Sequence, residues 1–199
     1  MIDNFEQIRS MLKFEDDYFY FIQIIQRSKE NPKLGSNNRI IRSYNIDLLE
    51  KFDKNKDEII TLCNTFNARA YIHLNRRKWS KIALECLRHN AELIANNQHS
   101  GIKSSFETVI GRNNGEPRES KTWIIDVDMN DYNVLNKIGA ILTNIKPIED
   151  DKWIETIPTK NGFHMITKPF NRTEFNKYMQ LQGDVPDIHT DNPTILFIP

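Results

Sequence analysis

Residues 123–129 read Trp123-Ile124-Ile125-Asp126-Val127-Asp128-Met129, an apolar run that carries two aspartates one residue apart. In a β-strand successive side chains point to opposite faces, so Asp126 and Asp128 leave the same face about 6–7 Å apart. Two ionised carboxylates at that spacing repel each other, and a buried strand adds a desolvation cost. A divalent cation between them removes both penalties, and carboxylate pairs on Mg²⁺ or Mn²⁺ are a common device of phosphoryl-transfer enzymes. The structural alternative is a helix cap, in which Asp128 or Asp131 accepts from the first N–H groups of the helix that follows.

The order of elements around this run narrows the fold. Apolar spacing and turn residues predict a strand over 122–129, a helix over 131–143, strands over 152–158 and 162–168, a helix over 171–182 and a strand over 193–198. This βαββαβ order is the ferredoxin-like or RRM-like pattern, whose two helices cover one sheet face. Trp123, Ile125, Val127 and Met129 are large and apolar and should face the helices, which leaves Asp126 and Asp128 on an open face. The strand over 162–168 is expected as the parallel neighbour of the first, with Phe163 under the helices and His164 beside Asp126. The strand over 193–198 is expected on the other flank. Its approach, Asp187 to Asn192, would then bring Asp187 or Asp191 near Asp128. Three acids and a histidine thus converge on one sheet face. Each has an ordinary reading too: a partly buried histidine at 164, a solvated loop histidine at 189, a turn former at Asp191 before Asn192-Pro193.

The first half reads as a smaller α/β module over 1–110, with helices over 3–13, 47–66 and 79–96 and strands over 18–26, 39–46 and 68–74. Residues 98–121 hold Gly101, Gly111, Gly115 and Pro117 and are the linker candidate, so that 122–199 forms a separate lobe of one compact two-lobed domain. The 27 basic residues balance the 27 acidic ones, which argues against a grip on duplex DNA by bulk charge but permits a local basic groove. Arg76, Arg77 and Lys78, and Arg112, Arg118 and Lys121 in the linker, are the nucleic-acid-binding candidates; a solvated surface accounts equally for any one of them. Cys63 and Cys86 lack zinc-ligand spacing and read as core residues. The polar, acidic start and the lack of a long apolar run predict a cytoplasmic protein with no membrane contact.

Taken together, these motifs resemble the archaeo-eukaryotic primase superfamily, the primase-polymerases. Its first motif is two acids one apart on a hydrophobic strand, here Ile124-Ile125-Asp126-Val127-Asp128. Its second is a glycine-containing turn leading to a histidine, here Thr159-Lys160-Asn161-Gly162-Phe163-His164-Met165. Its third is an acid before a strand that ends in proline, for which Asp187 to Pro199 is similar. The resemblance covers about 120–199 and implies an α+β fold with an RRM-like palm beside a smaller N-terminal α/β module, of a minimal phage, plasmid or mobile-element type. It implies that Asp126, Asp128 and Asp187 are catalytic and hold two Mg²⁺ or Mn²⁺ ions, with Asp191 the alternative third carboxylate. It implies that His164, Lys160, Asn161 and Gly162 contact the incoming nucleotide. The chain departs from the family in lacking arginine over 194–197, and it carries neither a zinc cluster nor a GxxxxGK[ST] loop.

The expected function is therefore template-directed nucleotide addition in DNA replication. Its partners would be nucleoside triphosphates and a single-stranded DNA template, with a replicative helicase as a further partner. Two alternatives stand beside it. One is a metal-dependent nuclease or phosphohydrolase that uses the same carboxylates. The other is an inactive RRM-like module for single-stranded nucleic acid, which would normally show aromatic rings where this chain has Asp126 and Asp128.

Overall fold

The computed structural model describes residues 1–113, 115–183 and 185–199, with Arg118 described by its backbone alone, so the side chain of that candidate lies outside the described residues. A two-residue strand β1 (Ile2–Asp3) and helix α1 (Phe5–Met11) open the chain. Strand β2 (Tyr18–Gln26) follows; Tyr20, Ile22 and Ile24 enter one core while Phe19 and Phe21 enter another. A strand apolar on both faces belongs inside a sheet. Accordingly β2 lies between β3 (Arg39–Ile46) and β4 (Arg69–Lys78), antiparallel to both. Helix α2 (Leu49–Phe66) buries Phe52, Ile59 and Cys63 on one face of this sheet, and Asn67 closes it in the left-handed conformation. Helix α3 (Trp79–Ala95) covers the other face with α4 (Ser105–Arg112), through Ile82, Val109 and Ile110 against Phe19 and Phe21.

The expected linker over 98–121 is therefore in part structured, and it is tied to β4. Gly115 N–H donates to Arg76 O at 2.8 Å, and a Cβ at Gly115 would stand 2.6 Å from the Lys78 backbone nitrogen. The spacing of Phe106, Val109 and Ile110 is the helical signal that the glycines around it obscure.

The second sheet is built from β5 (Trp123–Val127), β6 (Trp153–Pro158), β7 (Phe163–Thr167) and β8 (Asp187–His189), with helices α5 (Tyr132–Asn144) and α6 (Arg172–Gln182). Its strand order is β6-β7-β5-β8 and every pairing is antiparallel. The expected parallel neighbour of β5 is thus antiparallel; β7 reverses direction through the tight turn after β6. The final strand, β9 (Thr194–Ile198), does not join this sheet. It inserts between β1 and β4 in the first. All five of its residues are buried, so it needs cover on both faces and partners on both edges, which an outer position beside β5 would not give. The three-residue β8 takes that position instead. By sheet membership, then, the chain's last strand belongs with the expected 1–110 module rather than with 122–199. The protein is an α+β fold with two antiparallel sheets.

The face of the second sheet away from α5 and α6 is not open. Ile124, Ile157 and Ile166 project from it into the core that Phe5, Ile8, Ile72 and Leu196 form in the first half. Burial of each such isoleucine contributes about 1.5–3 kcal/mol, which outweighs leaving the face to water. Polar side chains seal the same junction. Asn4 Nδ2 donates to Pro158 O and to Ile195 O, each at 3.0 Å. Asn75 Nδ2 donates to Thr122 O at 2.9 Å and to Thr190 O at 3.2 Å, and its Oδ1 accepts from Thr122 N–H at 2.8 Å.

Arg77 lies at the centre of this junction with no exposed surface. Its guanidinium donates to both oxygens of Asp191 at 3.1 Å, to Ile110 O at 3.0 Å and to Asn75 O at 2.8 Å. His73 Nδ1 sits 3.0 Å from Arg77 and 3.1 Å from Asp191 O. Burial and the Arg77 charge hold this imidazole neutral, well below its ordinary pKa, while Asp191 pulls weakly the other way. Among the described residues, no helix is long and apolar enough to cross a membrane.

Two consequences are measurable. Arg77→Met strands the Asp191 carboxylate and should cost about 3–5 kcal/mol in guanidinium chloride unfolding, with much of the loss recovered in Arg77→Met/Asp191→Leu. Because the unfolded chain takes up a proton at pH 6.5 that folded His73 refuses, stability should fall as pH drops below that value. The slope His73 contributes is at most about 1.4 kcal/mol per pH unit. Unfolding midpoints at pH 7 and pH 5 should therefore differ less in His73→Asn than in the wild type.

Candidate functional site

Backbone register gathers the acidic residues. On β5, Asp126 is paired with Asp187 of β8 on one side and with His164 of β7 on the other. Directly paired residues share a sheet face, so all three project the same way. Asp128 follows one residue past the end of β5. Asp126, Asp128 and Asp187 line one cleft of about 230 Å³ at the end of the sheet, where Val134, Ile138 and Met179 of the helix layer supply an apolar wall. Asp131 caps α5, accepting from Asn133 N–H at 2.8 Å, and this frees Asp128 from the capping role.

Gly162 makes the corner possible. The turn from β6 into β7 crosses the end of β5 so closely that a Cβ on Gly162 would stand 1.9 Å from Val127 O and 2.7 Å from Met129 N. Thr159 braces the turn: its N–H donates to Gly162 O at 2.9 Å and its Oγ1 accepts from Gly162 N–H at 3.2 Å. Residue 162 is thus glycine because the backbone carrying Asp126 and Asp128 passes directly over it.

The charge at this corner is uncompensated. Among the described residues no lysine or arginine forms an ion pair with Asp126, Asp128 or Asp187; the nearby imidazoles are His164, whose Nε2 is 3.6 Å from Asp126 Oδ1, and His189. Burial raises the Asp126 pKa, and the Asp128 and Asp187 charges add to the rise, while His189 opposes it. His189 of β8, which the sequence alone marks as a solvated loop residue, pairs with Ile124 of β5 and shares the face of Asp187. The alternation Asp187-Ile188-His189, with Ile188 buried, accounts for its place, but three residues are too few to read as a strand from sequence.

His164 does not line the cleft. It lies between the two sheets, and its Nδ1 meets Thr194 Oγ1 of β9 at 2.9 Å. Burial pushes its pKa down to about 4, with His189 adding to the fall, so the ring is neutral at pH 7. Its other ring nitrogen, Nε2, faces Asp126.

Other candidates are engaged elsewhere. Asp191 is the partner of Arg77 and Asn75 and stands outside the cleft walls, so it is a structural carboxylate rather than a metal ligand. Arg76 is buried against Glu116 in a two-pronged pair and also meets Glu15. Arg76 and Arg77 therefore offer no charge to a nucleic acid. Lys78 is half exposed, with its ammonium over the Tyr18 ring and 3.9 Å from Asp17. Lys160 pairs with Glu30, which also holds Arg69, and this directs Lys160 away from the carboxylates. Asn161 is exposed in the turn.

The residues that could hold a divalent cation are thus Asp126, Asp128 and Asp187. Among the described residues, no three His, Cys, Asp or Glu side chains are already drawn together tightly enough to do so. Side-chain rotation about the fixed strand ends would have to close the set. Compared with known proteins, the chain matches no family model, no curated protein and no solved structure.

Gly162→Ala tests how far the corner depends on this close crossing. The added methyl should displace the end of β5 and cost about 1–3 kcal/mol or more, read as a lowered unfolding midpoint. A Gly111→Ala control, where a Cβ meets nothing within 4 Å, should leave the midpoint unchanged or raised.

Proposed function

We propose that the chain is a primase-polymerase-like nucleotidyltransferase whose catalytic end is the acidic corner of the second sheet. In this reading the β5-α5-β6-β7-α6-β8 unit, with its strand order β6-β7-β5-β8, is an RRM-like palm. The observation that carries the proposal is the row Asp187–Asp126–His164 across three strands, with Asp128 at the strand end and no basic residue in the cleft walls. Asp126 is half-buried beside the exposed Asp128 and Asp187; a half-buried carboxylate kept unpaired among like charges costs stability, and such perturbed groups cluster where function needs them.

Asp126, Asp128 and Asp187 would hold two Mg²⁺ or Mn²⁺ ions, which when bound supply an activated 3′-hydroxyl and charge stabilisation for the leaving pyrophosphate. Asp126 would be the central ligand, with Asp187 and His164 paired to it on either side. His164 would be a positioning residue: held by Thr194 at 2.9 Å, its ring stands 3.6 Å from Asp126 Oδ1 and backs that carboxylate from the neighbouring strand. The apolar wall from Val134, Ile138 and Met179 limits water at the corner. A metal-dependent nuclease or phosphohydrolase is the second reading. It is favoured by one observation: with Lys160 paired to Glu30, the cleft walls offer no cation for a triphosphate. The inactive strand-binding module has less support, because the sheet face it would use is filled by Ile124, Ile157 and Ile166.

Asp126→Asn is the decisive variant. It should leave the protein folded, with an equal or higher melting temperature, because a charge that the fold disfavours is removed. Mn²⁺ should raise the melting temperature of the wild type but not of the variant. Primer extension on a labelled primer-template should fall by on the order of a hundredfold or more. Shortening of the primer without extension would support the hydrolase instead, and wild-type extension by Asp126→Asn would sink both readings.

A further inference from the structure

A cavity of about 820 Å³ opens at the opposite end of the second sheet, where β5 begins and β7 and β8 end. Lys121, Lys146 and Lys168 line it together with the Trp123 ring. Lys168 is occupied, by Asp151 at 2.5 Å and Glu149 at 3.7 Å. Among the described residues the ammonium groups of Lys121 and Lys146 have no hydrogen-bond or ion-pair partner. With Glu149 taken by Lys168, Glu119 is the one remaining acid on the lining.

Both free cations stand on anchored backbone. Lys152 is 1% exposed, and its ammonium donates to Ile145 O at 2.7 Å and Pro147 O at 2.5 Å, the carbonyls of the two residues that flank Lys146. The Lys146 N–H donates to Glu174 at 3.2 Å and its carbonyl accepts from Asn171 N–H at 2.7 Å. Lys121 precedes Thr122, which Asn75 holds from both sides of its peptide. The half-buried Trp123 ring is fixed by Phe170, edge to face at 5.2 Å. An anchored aromatic ring sharing a cavity with two unpaired ammonium groups on anchored backbone is an arrangement that takes an unstacked base with its flanking phosphates.

We propose that this cavity binds single-stranded nucleic acid, with phosphates on Lys121 and Lys146 and a base against Trp123. The inference rests on the nucleotidyl-transfer or hydrolase reading in one respect. A corner of three carboxylates repels a phosphate backbone, so an enzyme acting there must hold its strand elsewhere.

The test is fluorescence anisotropy with a labelled twelve-residue oligothymidylate between 50 and 200 mM salt. Lys121→Ala/Lys146→Ala should weaken binding roughly tenfold at low salt and reduce the slope of log K against log salt by about 1.4, the value for two lost phosphate contacts. Oligothymidylate should quench tryptophan fluorescence in the wild type, and less so in Trp123→Phe. Asp126→Asn should bind the oligonucleotide as tightly as the wild type or more tightly. Equal affinity and slope in the double lysine variant would overturn the proposal. So would failure of the wild type to bind, or displacement of the oligonucleotide by thymidine triphosphate at equal concentration. The two readings fail separately. Lysine-dependent binding without extension or shortening of a primer leaves the cavity assignment standing and removes the enzyme. Extension unchanged in the double variant does the reverse.

Discussion

A fully buried guanidinium governs how the two sheets meet. Desolvation of Arg77 is costly enough to lower its pKa despite the adjacent carboxylate, so every one of its donors has to find an acceptor. It finds them on three separate segments: Asp191 between β8 and β9, Ile110 at the end of α4, and Asn75 on its own strand. No two of these are close in sequence. Satisfying one side chain therefore fixes where the chain leaves β8, where it enters β9, and how α4 lies on β4. Asn75 extends the same constraint to Thr122, at the entrance to β5. The strand that carries Asp126 and the strand that carries Asp187 are thus both held from a single point on β4.

The acidic corner follows the opposite rule. At the junction each buried charge has a partner in place; at the corner three carboxylates share a cleft with no lysine or arginine among the described residues that line it. The fold is able to neutralise charge, as Arg77–Asp191, Arg76–Glu116 and Arg69–Glu30 demonstrate. Its restraint at Asp126 is therefore informative.

Much of this was legible in the residues. Two-residue alternation put Asp126 and His164 on one face, and that parity holds although β7 runs antiparallel rather than parallel, because facing pairs share a side in either case. The strands Tyr18–Gln26 and Arg39–Ile46 coincide with the expected ranges 18–26 and 39–46, since their β-branched and aromatic runs are bounded by turn residues. The destination of β9 was not legible. Thr194–Ile198 is apolar throughout, and such a run says that it is buried on both faces without saying in which sheet. Nor was β8, at three residues too short for a periodic signal. The fate of Arg76 and Arg77 was hidden for a different reason: a basic cluster looks the same in sequence whether it faces solvent or Glu116 and Asp191.

The filled sheet face also restricts how any substrate reaches the carboxylates. In a four-stranded sheet with helices on one side, the other side is the usual approach, but here Ile124 and Ile166 close it against the first half of the protein. Access to Asp126 is then from the end of the sheet, past Asp128 and the 185–187 segment that lines the same cleft. His164 lies behind that entrance, which is why its contacts run to Asp126 and Thr194 and not to the cleft. Trp123 lies three residues from Asp126 along β5, about 10 Å. Their side chains leave opposite faces of the sheet, as odd and even positions must. A strand that touched both would have to pass around the edge of the second sheet. Of its two edges, β6 is a full strand whose outer flank carries Trp153 and Ile154, both exposed. The other is the three-residue β8, whose Asp187 borders the acidic cleft while Thr190, just beyond it, borders the lysine cavity. The short strand thus offers the direct path between them.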